Sequence, residues 1–401
     1  MSEQLAIIVT SLDRLTDREA FLSQIRTAAS ALAVPFDVVV ADTAHQAFGV
    51  ATRTALASAR ASHILTIDAD FSGPMSFIAD LWARRRDAEI LVASRYLPES
   101  RTTMPASRQM GSTWLNRVFR RGLSLGIQDI SSALRLYRAD VVQGLRLTAE
   151  DYDVLQEVLV RAYAAGWRVR EVPLTYAPNP GVRRKAHGAL LRSYLRTFLE
   201  LWRLRNSIAA ADYDYRAHDS VIPLQRYWQR TRYRHITDLI AGQGPVLDVG
   251  CGSSHIIAAL PRGSVAVDIL PNKLRFARQF GVPLVRASGF DLPFEREAFE
   301  CVLSSQVIEH VPKEPSMIEE LCRVLNPGGR LVLGTPDYDR WEWVWMEKAY
   351  GLAAPGGYAD EHISHYTQRG LLEEFRQRGY THEATRYVLR GELILAFRKP
   401  L

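Results

Sequence analysis

Cysteine is scarce in this 401-residue chain. Its three cysteines, Cys251, Cys301 and Cys322, are an odd and widely spaced set with no Cys-x-x-Cys pair, so neither a disulfide framework nor a thiolate zinc site is suggested. Long apolar runs are missing too: no stretch approaches the ~18 apolar residues of a membrane-spanning helix. The opening "MSEQLAIIVTSLDR" has no basic segment leading into an apolar core and cleavage site. The expectation is a cytoplasmic chain, at most peripheral on the inner face of the cell membrane. Low-complexity tracts and long repeats are lacking. So is any interleaved aromatic and basic motif of a known nucleic-acid module, and nucleic acid is not an expected partner.

What is present is ample material for a core: 47% of residues are hydrophobic and 23% charged, and the length favours two or three domains over one. The net charge of +6, carried mostly by arginine, suits an anionic membrane face, nucleic acid or phosphorylated substrates and by itself separates none of them.

Residues 5 to 172 alternate apolar strand-like runs ("LAIIVT", "FDVVVAD", "HILTI", "EILVAS", "VREVPL") with helical stretches of the length a β-α-β unit needs, which predicts a mixed or parallel open sheet. From 246 the alternation restarts with "PVLDVG", "SVAVD", "VPLVRA", "ECVLSS" and "GRLVLGT", and it closes on a predicted terminal hairpin, "ATRYVLRGELILAFRKP". The fold class read from this is α/β in two domains, 1–206 and 207–401, with 207–240 as linker and lead-in helix.

The apolar run "HILTIDADFSGP" ends on two carboxylates, Asp68 and Asp70. In open α/β sheets ligands collect at the carboxyl ends of strands, where two hard oxygens could hold a divalent ion against a diphosphate. A turn whose aspartates cap the next helix explains the same residues equally well. The segments "VASRY", "DISSALRLYR" and "LQEVLVRAYAAGWRVREVPLTY" follow in order, and with "DADFSGP" the series resembles the family 2 glycosyltransferases of GT-A fold, in particular the dolichol-phosphate mannose synthase and polyprenyl-phosphate glycosyltransferase branch.

The resemblance implies that Asp68 and Asp70 bind Mg²⁺ or Mn²⁺ against a nucleotide-sugar, with Asp70 catalytic through the metal. It implies that Arg135, and more weakly Arg108, bind the acceptor phosphate, and that Glu157 orients sugar or arginine. The sequence also departs from the family. Its first strand ends in "VTSLDR", leaving Asp13 as the acidic candidate there, and the base-reading segment has shrunk to "VADTAHQAFG", with Asp42 matching its first Asp. The helix and strand that usually follow are missing. The basic amphipathic stretch 188–205, with Leu191, Tyr194, Leu195, Phe198 and Trp202 on one face, either lies in a membrane interface or packs on its own protein.

In the second domain "VLDVGCGSSHIIAAL" places Gly250 and Gly252 between a strand and a helix, and Asp268 ends the next strand. Glycines there permit close backbone approach to a ligand, and the carboxylate can accept both hydroxyls of a ribose. With "FDLPFEREAFECVLSSQVIEHV" and "MIEELCRVLNPGGRLVLGTPDY", the segment from about 220 to 398 resembles the class I S-adenosylmethionine-dependent methyltransferases. That resemblance implies S-adenosylmethionine as cofactor, with the loop Asp248 to Gly252 on its amino-acid end, Asp268 on the ribose, and Ser288 and Gly289 near the adenine where relatives often carry an acid. For the methyl acceptor the candidates are Glu309 and His310 of "IEHV", and Asp360, His362 and His365 of "DEHISHYT", with His362 as base, since imidazole can take a proton from a hydroxyl near neutral pH.

The function these features predict is a bifunctional enzyme that moves a sugar from a nucleotide-sugar to a polyprenyl phosphate or glycan acceptor and methylates a related glycan or small molecule. The alternative is a methyltransferase whose first domain is only a binding or membrane-docking module.

Overall fold

A computed structural model describes residues 3–179, 188–314, 316–353 and 362–401. The chain divides into two compact units, Met1–Arg205 and Asn206–Leu401.

The first unit is built on β1 (Leu5–Thr10), β2 (Phe36–Val40), β3 (His63–Asp68), β4 (Ile90–Ser94), a short β5 (Arg101–Thr102), β6 (Arg135–Arg138), β7 (Val169–Pro173) and a short β8 (Thr175–Tyr176). The main sheet has the order β2-β1-β3-β6-β4-β7, and β6 runs antiparallel to both of its neighbours. The run "LAIIVT" is buried at every position, as an inner parallel strand covered on both faces must be. Its side chains alternate between two cores. Ala6 and Ile8 join Phe48, Leu56 and Val158 on one face, while Leu5, Ile7 and Val9 join Phe21, Ile25 and Leu81 on the other.

After β2 the chain crosses to the other side of β1 to lay down β3, so the strand order reverses at β1, and Thr10 and Asp68 pair at the carboxyl ends of the two strands. Such a reversal opens the crevice in which open α/β sheets bind ligands. The β5–β8 pair was not legible in the sequence. It carries the segment after it across the Asp70 turn, where Asn179 N donates to Asp70 O at 2.7 Å and Ser72 N to Ala177 O at 2.9 Å.

The helix Gly188–Arg205 decides between its two readings only in part. Tyr194, Phe198 and Leu201 pack into the first core, with the Phe198 ring 5.0 Å from that of Phe119. Leu195, Leu199 and Trp202 are exposed, alongside exposed Arg192, Arg196 and Arg203. The Leu191 side chain lies outside the described residues.

The second unit contains β9 (Val246–Val249), β10 (Val265–Asp268), β11 (Leu284–Arg286), β12 (Phe299–Ser305), β13 (Leu325–Pro336), β14 (Thr381–Val388) and β15 (Glu392–Arg398), ordered β11-β10-β9-β12-β13-β15-β14. The first five in that order are parallel, and β15 returns antiparallel between β13 and β14 as the expected hairpin. Here the order reverses at β9. The later part of 207–240 is a helix, Pro223–Ile240, as expected of a lead-in helix, and it forms an integral layer: its Ile236, Leu239 and Ile240 pack against Val246, Leu303, Val332 and Ile394. Among the described residues no helix is long and apolar enough to cross a membrane.

Candidate functional site

In the second unit the glycine loop follows β9 directly. Gly250 and Gly252 have φ of 77° and 56°, a left-handed geometry in which a side chain is disfavoured. Gly250 N and Cys251 N both donate to Val267 O, at 2.8 and 3.0 Å, which ties the loop to β10. A Cβ on Gly250 would stand 2.2 Å from Val307 Cγ2.

Asp268 closes the ring of contacts. Its Oδ2 accepts from Gly252 N and its Oδ1 from Leu270 N, each at 2.8 Å, so the carboxylate is aimed by two backbone amides. Burial raises its pKa, and those two hydrogen bonds pull the other way. Asp248, inside β9, is buried more deeply, and burial with the charge of Asp268 pushes its pKa up to about 7. Ser288 Oγ accepts from Phe290 N at 3.2 Å, and a Cβ on Gly289 would lie 2.7 Å from Met317 Cε; Asp291 N donates to Ser288 O at 3.2 Å, so the turn offers a ligand its backbone, a hydroxyl and the exposed Asp291 carboxylate.

Two loop partners escaped the sequence reading. Asp214, on the helix Tyr213–His218, has its Oδ2 3.2 Å from where a Cβ on Gly252 would be, and it accepts from Ser253 Oγ and Lys273 Nζ at 3.3 Å. Lys273 is buried and also donates to Ala210 O at 3.1 Å. An acid in a lead-in helix leaves no spacing signal that ties it to a glycine loop so far along the chain.

Beyond Val307 the chain turns through Glu309 and His310. Glu309 is fully buried, its Oε2 accepts from Thr335 Oγ1 at 3.1 Å, and its carbonyl accepts from Ile363 N and Ser364 N. Burial pushes its pKa up to about 8. Those backbone bonds draw in His362, whose ring centre lies 4.9 Å from that of His310. One ligand atom from each of Glu309, His310 and His362 lies within 4.8 Å of the others. Nδ1 of His362 faces Glu347 Oε1 at 2.8 Å and Tyr338 Oη at 3.0 Å, so Nδ1 carries the proton. Tyr338 also stacks on His365 at 4.0 Å. Glu347 and Tyr338 come from other elements and were not read as site residues. Asp360 lies outside the described residues.

In the first unit Asp68 ends β3 at the strand-order reversal. Its Oδ2 accepts from Thr10 Oγ1 (3.1 Å) and Ser11 Oγ (3.0 Å), and its Oδ1 from Asp70 N (2.8 Å). Burial, and secondarily the charge of Asp70, raises the Asp68 pKa. Tyr176 Oη donates to Asp70 Oδ2 at 3.2 Å. Asp13 accepts from Thr43 Oγ1, whose oxygen takes Ser11 N, so Asp13 braces the end of β1. Asp42 is exposed and turned into its own loop, accepting from His45 N and His45 Nδ1, and the His45 bond lowers its pKa.

One expectation for this unit is corrected. Arg135 is fully buried in β6, and its Nη1 and Nη2 donate to Leu155 O (2.6 Å) and Ile130 O (2.8 Å), so its guanidinium holds backbone and does not face an acceptor phosphate. Glu157, expected to orient sugar or arginine, is buried and accepts from the backbone N of Thr148 and Ala149 and from Arg161 Nε at 2.7 Å, so the arginine alternative is the one its contacts match. The Arg108 side chain lies outside the described residues. Cations among the described residues near this crevice are Arg14, which donates to Tyr152 Oη at 2.6 Å, and Arg95, which lies 5.4 Å from the ring centre of Tyr176, the partner of Asp70.

Comparison with known proteins finds named methyltransferases among the relatives. The malonyl-[acyl-carrier protein] O-methyltransferase of Methylococcus capsulatus is 30% identical over 175 residues, covering 41% of this chain and 62% of that protein. An "uncharacterized methyltransferase" of Mycobacterium sp. (strain KMS) is 36% identical over 140 residues, 34% of this chain and 54% of that protein. The chain therefore spans less than two thirds of either relative. Among solved structures, an S-adenosylmethionine-dependent methyltransferase from Mesorhizobium loti is 17% identical and aligns over 44% of this chain and 100% of its own, with a TM-score of 0.35. Residues 247–333, which run from β9 into β13, match the family model described as a methyltransferase domain and carry that pattern at the centre of the second unit.

Proposed function

We propose that the second unit transfers a methyl group from S-adenosylmethionine to a hydroxyl of a glycan or other small molecule, and that the first unit serves it as a binding module. The single observation that carries this is the Gly250–Gly252 loop locked to Asp268 where the strand order reverses at β9. The residues fit such a cofactor. Beyond the cradle that a Cβ on Gly250 would fill, buried polar atoms at the end of β12, Ser305 Oγ and Gln306 Nε2, have no protein partner.

In this reading the amides and carboxylates of the loop, with Asp214 beside it, bind the amino-acid end, Asp268 accepts the ribose hydroxyls, and the Ser288–Gly289 turn lies along the adenine. When bound, the cofactor supplies an electrophilic methyl on a sulfonium. Glu309, His310 and His362 form the acceptor side, with Glu347 fixing the tautomer and orientation of His362.

For the first unit the reading is a nucleotide-sugar or glycan module of GT-A type in which Asp68 and Asp70 hold Mg²⁺ or Mn²⁺. Sugar transfer by the same unit is the second reading, favoured by the aspartate pair at the sheet reversal; the burial of Arg135 weighs against a lipid phosphate as its acceptor. The test is a transfer assay with methyl-labelled cofactor over a panel of nucleotide-sugars and glycans with Mn²⁺. Labelled glycan in the wild type and none with Asp268→Ala is expected. Nucleotide-sugar turnover that is lost in Asp70→Asn would select the second reading, and absence of methyl transfer to every hydroxyl acceptor would sink the first.

A further inference from the structure

Two groups of potential metal ligands occur among the described residues, His218 with Asp219 and His255, and Glu309 with His310 and His362. In the first, Asp219 is exposed and already paired with Arg230 at 2.6 Å. The second is different in kind. Glu309 is fully buried, and its Oε1 has no hydrogen-bond partner while its Oε2 is held by Thr335. A buried carboxylate oxygen left so is costly unless something else satisfies it.

We propose that Glu309, His310 and His362 bind a divalent transition-metal ion. Their ligand atoms stand within 4.8 Å of one another. Ligands at about 2.0–2.2 Å from a common ion are separated by roughly 3–4 Å, so modest side-chain adjustment brings the three together. The surroundings are those of a metal-bound imidazole: Nδ1–H of His362 donates to the Glu347 carboxylate, which fixes the ring and leaves Nε2 with the lone pair that a metal takes. Two imidazoles and one carboxylate suit Zn²⁺, Mn²⁺ or Fe²⁺ better than Mg²⁺ or Ca²⁺, whose preferred ligands are all oxygen.

Three protein ligands leave coordination positions open for a substrate oxygen. The set lies beside the cofactor loop, because Val307, two residues before Glu309, meets the Cβ position of Gly250. What the ion does rests on the methyltransferase reading. An acceptor hydroxyl on the ion loses its proton to water more readily; its oxygen then forms the new C–O bond as the methyl–sulfur bond breaks, leaving S-adenosylhomocysteine. His362 is then a ligand and Glu347 a positioning residue, and the ion takes over the activation that a histidine base would supply.

Metal binding is tested apart from activity. The full-length chain carrying D68N and D70N, which removes the aspartate pair of the first unit, is stripped with chelator and titrated with Zn²⁺ and with Mn²⁺ by calorimetry. One equivalent is expected to bind, with affinity at least 10-fold weaker in E309Q and in H362N and between 10- and 100-fold weaker in E347Q, each checked for fold by circular dichroism. Co²⁺ should give a visible absorption band that E309Q and H362N abolish. Binding unchanged by these variants, or no binding by a chain that does bind S-adenosylmethionine, overturns the proposal. A chain that binds the metal through these residues but not the cofactor upholds the metal site and refutes the methyltransferase reading.

Discussion

Gly250→Ala is the most revealing single change to the glycine loop, because its cost separates into two parts. The φ of 77° charges any side chain about 1–2 kcal/mol. The new methyl would also sit 2.2 Å from Val307 Cγ2 and 3.1 Å from its Cγ1, an overpacking worth about 1–3 kcal/mol. Together the loop should lose about 2–5 kcal/mol. Val307→Ala alone removes two half-buried methyl groups and should cost about 1–2 kcal/mol. In the double variant both γ carbons are gone and the closest remaining contact is Val307 Cβ at 3.2 Å, so only the backbone term persists. The double variant should therefore be more stable than the sum of the singles by about 1–3 kcal/mol, a coupling that contact alone can produce. Hydrogen exchange read by mass spectrometry on peptides spanning 246–268 measures this within the second unit, whatever the first unit does. Additive effects, or a double variant that exchanges faster than the sum predicts, would refute the packing of the 306–310 segment on the loop.

Arg135→Ala should behave as a core deletion and not as a loss of substrate contact, since it strands two buried carbonyls: a drop of about 3 kcal/mol or more in the urea stability of the first unit is expected, and an unchanged midpoint would restore Arg135 as a ligand-facing group. Asp248 gives a pH signature. With its pKa lifted from 3.8 to about 7 in the folded state, the native chain holds a proton that the unfolded chain releases, so its contribution is present below about pH 4 and is lost as the pH rises to 7. The difference in stability between wild type and Asp248→Asn, followed by denaturation from pH 4 to 8, should change by up to about 1.4 kcal/mol per pH unit across that window and level off above it; a flat difference would contradict the burial argument. The exposed Leu195, Leu199 and Trp202 with their neighbouring arginines should carry the protein up with anionic liposomes at low salt and release it at high salt. Equal, weak flotation with neutral vesicles would leave that helix as a packing element alone.

Strand positions were legible because inner parallel strands must be apolar on both faces: "LAIIVT", "HILTI" and "ECVLSS" each fall within a strand. The glycine loop and Asp268 were legible for the same local reason, since both lie at strand ends that a short segment defines. What could not be read is whatever depends on the direction of a side chain from a known strand. Arg135 sits in the expected motif, yet in the antiparallel β6 its guanidinium points into the core. Glu347 and Tyr338 meet His362 only through the fold, 15 and 24 residues away in sequence, with no period or motif linking them. Asp214 reaches Gly252 across a still longer separation, from a segment read as linker.

Titration of the full-length chain with S-adenosylmethionine in a calorimeter, wild type beside Asp268→Ala, tests the central claim most directly. One equivalent should bind the wild type. The variant should lose at least 10-fold in affinity, because the charged hydrogen bonds that Asp268 accepts from Gly252 N and Leu270 N, worth about 1.5–3 kcal/mol each, hold the loop and orient the carboxylate that the proposal assigns to the ribose. A wild-type chain that binds no S-adenosylmethionine, or a folded Asp268→Ala variant that binds it as tightly as wild type, would contradict the assignment of this loop as the cofactor site.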